Sequence, residues 1–146
     1  MSGGRFLDSN VLVYTDDTGQ SAKQKAAMAL VSESRRARSG VVSLQVLQEY
    51  FVTVTRKLGV DAALARAKVE LFAGFTWHPT EVDDVLAAID LHRLHQVSFW
   101  DALIIRSAQK ARCATIYSED LQLGRRFEGV EIVIPFIGLG PARRRR

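Results

Sequence analysis

The feature that most constrains the fold is a set of short apolar segments separated by longer stretches with helical periodicity. Their order along the chain is strand, helix, strand, several helices and then two further strands. Short apolar strands separated by helices are typical of an α/β protein, with a mostly parallel sheet covered on both faces. Because ligands gather at the carboxyl ends of such strands, functional side chains are expected just after them.

The predicted elements follow from periodicity and from capping residues. A first strand ends at Leu7, and further strands are predicted at residues 41–42, 115–118 and 130–134. Residues 11–14 fit either a strand or a first helical turn. Gly40 and Gly59 are expected to end helices, and Ser43, Asp61 and Ser98 to cap them. The predicted helices are residues 20–38, 44–58, 62–75, 80–94 and 99–111.

Composition indicates one folded, soluble domain. The chain has 146 residues, of which 47% are hydrophobic and 25% charged, and this excludes a disordered chain. No apolar run reaches the ~18 residues of a membrane span. The N-terminus lacks the apolar core of a signal peptide, which predicts a cytoplasmic protein. Cys113 is the only cysteine, so an internal disulfide and a cysteine-built zinc site are excluded.

The net charge of +4 belongs to the C-terminal end. Residues 143–146 supply four of the 20 Lys and Arg, and the 16 that remain balance the 16 acidic residues. The basic charge is therefore weak evidence that the fold itself binds nucleic acid. We expect one domain over residues 1–136 and a basic, disordered tail over residues 137–146.

Four acidic residues lie where a carboxylate is costly or unexpected. Asp8 follows a buried strand, Glu49 lies within an apolar helix, Asp101 is in the first turn of a helix and Asp120 follows a strand. Each also has an ordinary interpretation, as a turn acid, the polar face of a helix, a capping-box acid or a helix cap. The sequence alone leaves both interpretations open for each acid taken singly.

Taken together, these acids predict a metal site. A parallel sheet would bring Asp8 and Asp120 to the same edge, and helix starts such as that of Asp101 also cluster there. Convergent carboxylates repel one another, and a hard divalent cation removes the conflict. Oxygen-only ligands suit Mg²⁺ or Mn²⁺. A weaker alternative is a histidine pair, His92 and His95, three residues apart.

Four segments resemble, in order and spacing, the motifs of PIN-domain ribonucleases. They read FLDSNVLVY at residues 6–14, VLQEY at 46–50, SFWDALI at 98–104 and YSEDL at 117–121. The resemblance covers residues 5–135, and the order, spacing and length match the VapC-type toxin branch of the family.

The resemblance implies an α/β/α sandwich and metal-dependent hydrolysis of RNA in an acidic pocket that binds Mg²⁺ or Mn²⁺. Asn10 and Ser118 match the small polar residue and the hydroxyl of the family. Asp120 is preferred to Glu119, because the last acid of the family stands two places after a Ser or Thr. The acids that match the family's catalytic and metal-binding set are Asp8, Glu49, Asp101 and Asp120.

The resemblance also implies partners: an RNA substrate, a second copy of the chain in a homodimer, and a cognate antitoxin whose C-terminal segment fills a groove beside the site. Aromatic residues are expected mostly in the core, with one or two at this groove. The aromatic residues are Tyr50, Phe51, Phe72, Phe75, Trp77 and Trp100. The basic residues expected to offset the acids toward RNA are Arg56, Lys57, Arg106, Lys110, Arg125 and Arg126.

Other families with an acid after the first strand fit less well. A haloacid-dehalogenase-like phosphatase needs a second Asp and a Thr where this chain has Asn10 and Leu12. A response-regulator receiver needs an acid pair at the first strand, and Asp16 and Asp17 come too late. Two alternatives stay open: a PIN nuclease that processes RNA outside a toxin pair, and a non-catalytic binding module with a PIN-like fold.

Overall fold

The computed structural model describes residues 3–121 and 126–140, which form a five-stranded sheet with helices on both faces. The strands are β1 (Gly4–Leu7), β2 (Gly40–Val41), β3 (Cys113–Tyr117), β4 (Arg126–Phe127) and β5 (Val130–Val133). The helices are α1 (Ser9–Tyr14), α2 (Ser21–Arg36), α3 (Leu44–Lys57), α4 (Ala62–Phe72), α5 (Val82–His95) and α6 (Phe99–Lys110). The α/β/α sandwich expected from the sequence is confirmed.

The order of the strands places a ligand-binding crevice between β1 and β3. The sheet order is β2-β1-β3-β5-β4, and every pairing is parallel except that of β4 with β5. The chain passes from β1 to β2 on one side and returns to β3 on the other side of β1. Such a reversal is a topological switch point, where open α/β sheets bind ligands.

The register brings the residues that follow β1 and β3 side by side. Leu7 pairs with Tyr117, and Tyr117 pairs with Val133. The backbone N–H of Asp8 donates to the carbonyl of Tyr117 at 3.0 Å. Asp8 and Ser118, the next residue on each strand, are therefore neighbours at the carboxyl edge of the sheet.

The core and the helix caps explain why these elements form. Phe6 and Ile116 are fully buried between the helical layers. The predicted caps are confirmed: Ser43 accepts from the N–H of Val46 and Ser98 from that of Asp101, and Asp61 caps α4 in the same way. Each cap stabilises its helix by about 1 kcal/mol.

Gly40 is not the helix stop that the sequence predicts. Helix α2 ends at Arg36, and Arg38 takes the left-handed conformation with a φ of 53°. Gly40 lies in β2 instead, where a Cβ would come 2.5 Å from the ring of Phe75. Glycine is therefore needed here because the aromatic ring packs directly over the strand.

Other boundaries also differ from the prediction. Helix α5 begins at Val82 because Glu81 is its N-cap residue, and the backbone N–H of Glu81 donates to Asp84 at 2.8 Å. Helix α4 ends at Phe72, three residues earlier than predicted, and the turn that follows buries Phe75. Strand β4 was not predicted at all.

Within the two described ranges, no helix is both long enough and apolar enough to cross a lipid bilayer. Residues 141–146 of the predicted tail and Arg125 lie outside the described residues.

Candidate active site at the β1/β3 edge

Asp8 is a buried carboxylate at the junction of β1 and α1. Its side chain is fully buried. One carboxylate oxygen, Oδ1, accepts from the backbone N–H of Ser9 at 2.7 Å, and Oδ2 accepts from the hydroxyl of Ser118 at 2.7 Å. A buried carboxylate is costly unless donors reach it. These two donors fix the position of both oxygens.

Asn10 and Ser118 connect Asp8 to Asp120. The side-chain amide of Asn10 donates to Ser118 Oγ at 3.3 Å and to Asp120 Oδ2 at 3.1 Å. Ser118 Oγ also accepts from the backbone N–H of Asp120 at 3.2 Å. We call this set, Asp8, Asn10, Ser118 and Asp120, the β1/β3 network. It holds side chains that follow two separate strands in one hydrogen-bonded unit.

Glu49 reaches the network through Ser9. The Ser9 hydroxyl donates to Glu49 Oε1 at 2.9 Å, while its backbone N–H donates to Asp8. The other oxygen of Glu49, Oε2, accepts from the side-chain amide of Gln45 at 3.1 Å. Ser9 therefore bridges the first two acids of the predicted set.

The start of α6, which carries Asp101, is tied to α3 by Gln45. The side-chain amide of Gln45 also contacts the carbonyl of Trp100 at 3.3 Å, which ties α3 to the first turn of α6. Asp101 is the third residue of that helix, and its backbone N–H donates to the Ser98 cap. Asp8 and Asp120 thus share one network, Glu49 joins it through Ser9, and Asp101 is linked through the backbone of its neighbour.

The residue types of this donor set are those that a hard divalent cation prefers. The side chains supply carboxylate oxygens, which are held by hydroxyl and amide groups. Mg²⁺ and Mn²⁺ prefer oxygen ligands of this kind. Among the residues that the structure describes, no three His, Cys, Asp or Glu side chains are grouped so as to hold a metal ion.

Glu119 turns away from Asp120 toward a different set of partners. Its carboxylate accepts from the hydroxyl of Tyr14 and from the ammonium of Lys23, each at 2.7 Å. Its backbone N–H donates to Asn10 Oδ1 at 3.1 Å. The carboxylate of Glu119 is therefore paired within the fold, away from the β1/β3 network.

Tyr50 fastens α3 to the turn that follows α1. Its hydroxyl donates to Asp16 Oδ2 at 2.5 Å, and Lys68 donates to Asp16 Oδ1 at 3.0 Å. Burial, together with the hydrogen bond to Asp16, raises the pKa of Tyr50 above its ordinary value. The phenol therefore stays protonated and acts as a donor at neutral pH.

Some of the basic residues expected to face RNA are engaged within the fold. Arg106 and Lys110 contact the carboxylate of Asp84 at 2.9 and 2.7 Å. Burial alone would raise the pKa of Asp84, but hydrogen bonds from Lys110, the Glu81 backbone and Arg106 lower it to about 2. Arg126 lies 3.6 Å from Glu131.

Two further basic candidates, Arg56 and Lys57, are exposed in the last turn of α3. The histidine pair has other contacts: His92 Nδ1 lies 2.6 Å from the Val97 carbonyl, and His95 packs edge-on against Phe127.

An apolar groove of about 760 Å³ lies between α3 and α4. Phe51 lies in its wall, whereas Tyr50 and Phe72 are buried in the core. Trp77 and Trp100 are exposed. The apolar residues that line the groove include Leu44, Leu47, Phe51, Val52, Ala63 and Val69.

Comparison with known proteins defines the class to which this fold and site belong. The PIN-domain model matches residues 5–127, so the chain belongs to the PIN-domain family. The family expected from the four motifs is thereby confirmed. No curated protein gives a significant match to the chain.

Two solved structures share the fold at low sequence identity. One is the crystal structure of VapC20 of Mycobacterium tuberculosis, a toxin that cleaves the sarcin-ricin loop. It matches with a TM-score of 0.67 and 22% identity over 80% of this chain and 90% of that chain. The other is a toxin–antitoxin complex from Klebsiella pneumoniae. It matches with a TM-score of 0.59 and 17% identity over 91% of this chain and 98% of that chain.

Three contributors to the site carry little sequence signal. Ser9 lies between two motif residues, and only its buried place in α1 reveals that it bridges two acids. Gln45 stands one helical turn before Glu49, a spacing that allows the contact but does not require it. Lys23 belongs to a helix rich in Lys, Gln and Glu, so its complete burial is invisible in the sequence.

Proposed function

We propose that this chain is a metal-dependent endoribonuclease, which hydrolyses RNA phosphodiester bonds as the toxin of a toxin–antitoxin pair. The observation that carries the proposal is the β1/β3 network, which joins acids from two strands at the switch point of the sheet. Membership of the PIN-domain family and the toxins among the similar structures support it. RNA and an antitoxin are both met in the cytoplasm, where we propose that it acts.

We assign the metal to the four acids, Asp8, Glu49, Asp101 and Asp120. A bound Mg²⁺ or Mn²⁺ would supply positive charge to the phosphate oxygens and lower the pKa of a water molecule. Asp8 is buried, and its two oxygens are oriented by the Ser9 amide and the Ser118 hydroxyl. Asn10 orients Asp120 from the same side. Asp8 and Asp120 therefore need little reorganisation to act together.

The groove between α3 and α4 is the surface we assign to the antitoxin. It is lined almost entirely by apolar side chains, and Phe51 offers an aromatic anchor. An amphipathic segment of a partner would bury its apolar face there, as helices do in such grooves. Glu49 and the groove residue Gln48 are consecutive on α3, so the groove and the proposed site share this helix.

We also propose that the chain forms a homodimer through α5. Val82, Leu86 and Ile89 are exposed apolar residues of this helix. Their spacing places them on one face, and an exposed apolar stripe of this kind marks an interaction surface.

The test is cleavage of single-stranded RNA by the purified chain. We expect cleavage with Mg²⁺ or Mn²⁺, none with a chelator, and a loss of at least about 100-fold in Asp8→Asn. The matched control is Asp83→Asn, because Asp83 is an exposed acid on α5. Equal cleavage by wild type and Asp8→Asn would contradict the proposal.

The same chain in cells separates a toxin from an RNA-processing nuclease. We expect expression of the wild type to arrest growth, and Asp8→Asn to relieve the arrest. An RNA-processing nuclease outside a toxin pair would cleave RNA in vitro without arresting growth.

A further inference from the structure

Lys23 is a buried cation in an unfavourable place. Its side chain is fully buried, and its Nζ lies 2.7 Å from Glu119 Oε2, on a side chain that is 4% exposed. Lys23 is the third residue of α2, where the helix dipole disfavours positive charge. Taking a charge pair out of water is also costly. An apolar residue at this position would avoid both costs, so the ion pair requires an explanation beyond packing.

The partner of Lys23 is held from three directions. The Tyr14 hydroxyl donates to Glu119 Oε1 at 2.7 Å, Lys23 binds Oε2, and Asn10 Oδ1 accepts from the Glu119 backbone N–H. The rings of Tyr14 and Phe136 enclose the ammonium, with centroids 5.0 and 5.9 Å from Nζ. Glu119 is therefore fixed in both its side chain and its backbone.

Asp120 follows directly in the chain and has its own partners. It accepts from the side-chain amide of Asn10, and its backbone N–H donates to Ser118 Oγ. Because Glu119 and Asp120 are consecutive, fixing one limits the positions open to the other. The ion pair holds Glu119 on the side of α2, and Asp120 stays hydrogen-bonded to Asn10 and Ser118 within the β1/β3 network.

We propose that Lys23 is a positioning residue, which holds Asp120 in place through Glu119 and so sets the affinity of the site for a divalent cation. The inference rests on the proposed function. Lys23 is itself fully buried, so it acts through Glu119 rather than by touching RNA. Substitutions that remove orienting partners of metal ligands typically weaken metal binding by about 10–100-fold.

The first measurement is Mn²⁺ affinity by calorimetry in Lys23→Met, with Lys68→Met as the matched control. Lys68 also pairs with an acid, Asp16, and also lies over an aromatic ring, that of Phe72. We expect the Mn²⁺ Kd to rise at least about tenfold in Lys23→Met and to be unchanged in Lys68→Met. Equal Kd values in Lys23→Met and wild type, or equal losses in both variants, would overturn the proposal.

The second measurement tests whether Lys23→Met weakens Mn²⁺ binding by displacing Asp120. In an Asp120→Asn background, adding Lys23→Met should not weaken Mn²⁺ binding further. A full additional loss in that background would mean that Lys23 acts elsewhere, and would overturn the proposal.

If Lys23→Met does not fold, Lys23→Met/Glu119→Gln removes both charges. We expect this pair to bind Mn²⁺ as weakly as predicted for Lys23→Met, and wild-type affinity would overturn the proposal.

A third measurement is independent of metal. Amide hydrogen exchange at Asp120 should quicken in Lys23→Met without metal, and stay at the wild-type rate in Lys68→Met. Unchanged exchange would contradict the positioning role even if the site binds metal. If the wild type binds no Mn²⁺ but exchange at Asp120 is still faster in Lys23→Met, the proposed function is contradicted and the anchoring of Asp120 is supported.

Discussion

The Ser118 hydroxyl is the most connected small group of the site. It donates to Asp8 Oδ2 and accepts from the Asn10 amide and the Asp120 backbone. A hydroxyl can do both because it carries one donor and two acceptor lone pairs. Alanine at this position would leave the fully buried Asp8 carboxylate without one of its donors. We expect the loss of this donor to lower the rate of RNA cleavage.

We therefore expect Ser118→Ala to lower the kcat/KM of RNA cleavage by about 10–100-fold. Ser118→Thr keeps the hydroxyl and should retain most of the activity. The control is Ser107→Ala, because the hydroxyl of Ser107 donates to the Leu103 carbonyl within α6. Equal cleavage rates in Ser118→Ala and Ser107→Ala would show that Ser118 does not contribute to the site.

Sequence motifs predict some of the residue contacts in this structure and miss others. Asn10, Ser118 and Asp120 were expected to belong together, and the structure joins them by direct hydrogen bonds. The contacts of Asp84 with Arg106 and Lys110 were not expected, because they join α5 to α6 across 22 and 26 residues. A pairing between separate helices depends on how they pack, and local patterns do not encode it.

At the scale of elements, the ion pairs of Asp84 fasten α5 to α6. The folded-state pKa of Asp84 is about 2, below the ordinary value of 3.8. A lowered carboxylate pKa means that the folded state binds the proton less readily than the unfolded state. The contribution of Asp84 to stability is therefore complete above about pH 4 and is lost as the pH falls toward 2.

The lowered pKa of Asp84 predicts that the stability difference between wild type and Asp84→Asn depends on pH. At pH 7 we expect Asp84→Asn to unfold at a lower urea concentration, and the gap should shrink steadily below about pH 4. The control is Asp83→Asn, because its side chain is exposed one residue earlier. A gap that widens as the pH falls would show that the ionised carboxylate does not stabilise the fold.

The elements differ in how well the sequence predicts them. Helices α3 and α6 start where Ser43 and Ser98 predict, because a capping hydroxyl is a local signal. The pattern of residues 11–14 fits a strand as well as helix α1, because all six residues of α1 are buried. A helix buried on every side has no polar face, and so no periodicity distinguishes it from a strand.

At the scale of the whole molecule, acids and groove adjoin on α3. Glu49 points into the site through Ser9, while Leu47 and Phe51 line the groove. One helix therefore serves both the proposed chemistry and the proposed partner surface.

Charge in the groove should separate cleavage from control by the antitoxin. We expect Phe51→Asp to cleave RNA at the wild-type rate but to bind the antitoxin at least about tenfold more weakly, because an aromatic anchor is lost. Met28→Asp is the control, since Met28 is an exposed apolar residue on α2. Undiminished inhibition of Phe51→Asp by the antitoxin would place the partner elsewhere.

The sheet order was only partly predictable from the chain. Parallel strands and their helical connections follow from the alternation of patterns, but the position of β3 beside β1 depends on packing across more than 100 residues. That neighbour relation is what brings Asp8 next to Ser118 and Asp120. The motifs single out the acids, and the sheet order explains why Asp8 and Asp120 share one network.

The most direct test of this account is the location of a divalent cation. A crystal soaked in Mn²⁺ and measured for anomalous scattering should show a peak bounded by the carboxylates of Asp8, Glu49, Asp101 and Asp120. The same soak of Asp8→Asn should show a much weaker peak. A Mn²⁺ peak elsewhere on the chain, or none at the carboxyl edge of β1 and β3, would contradict the account.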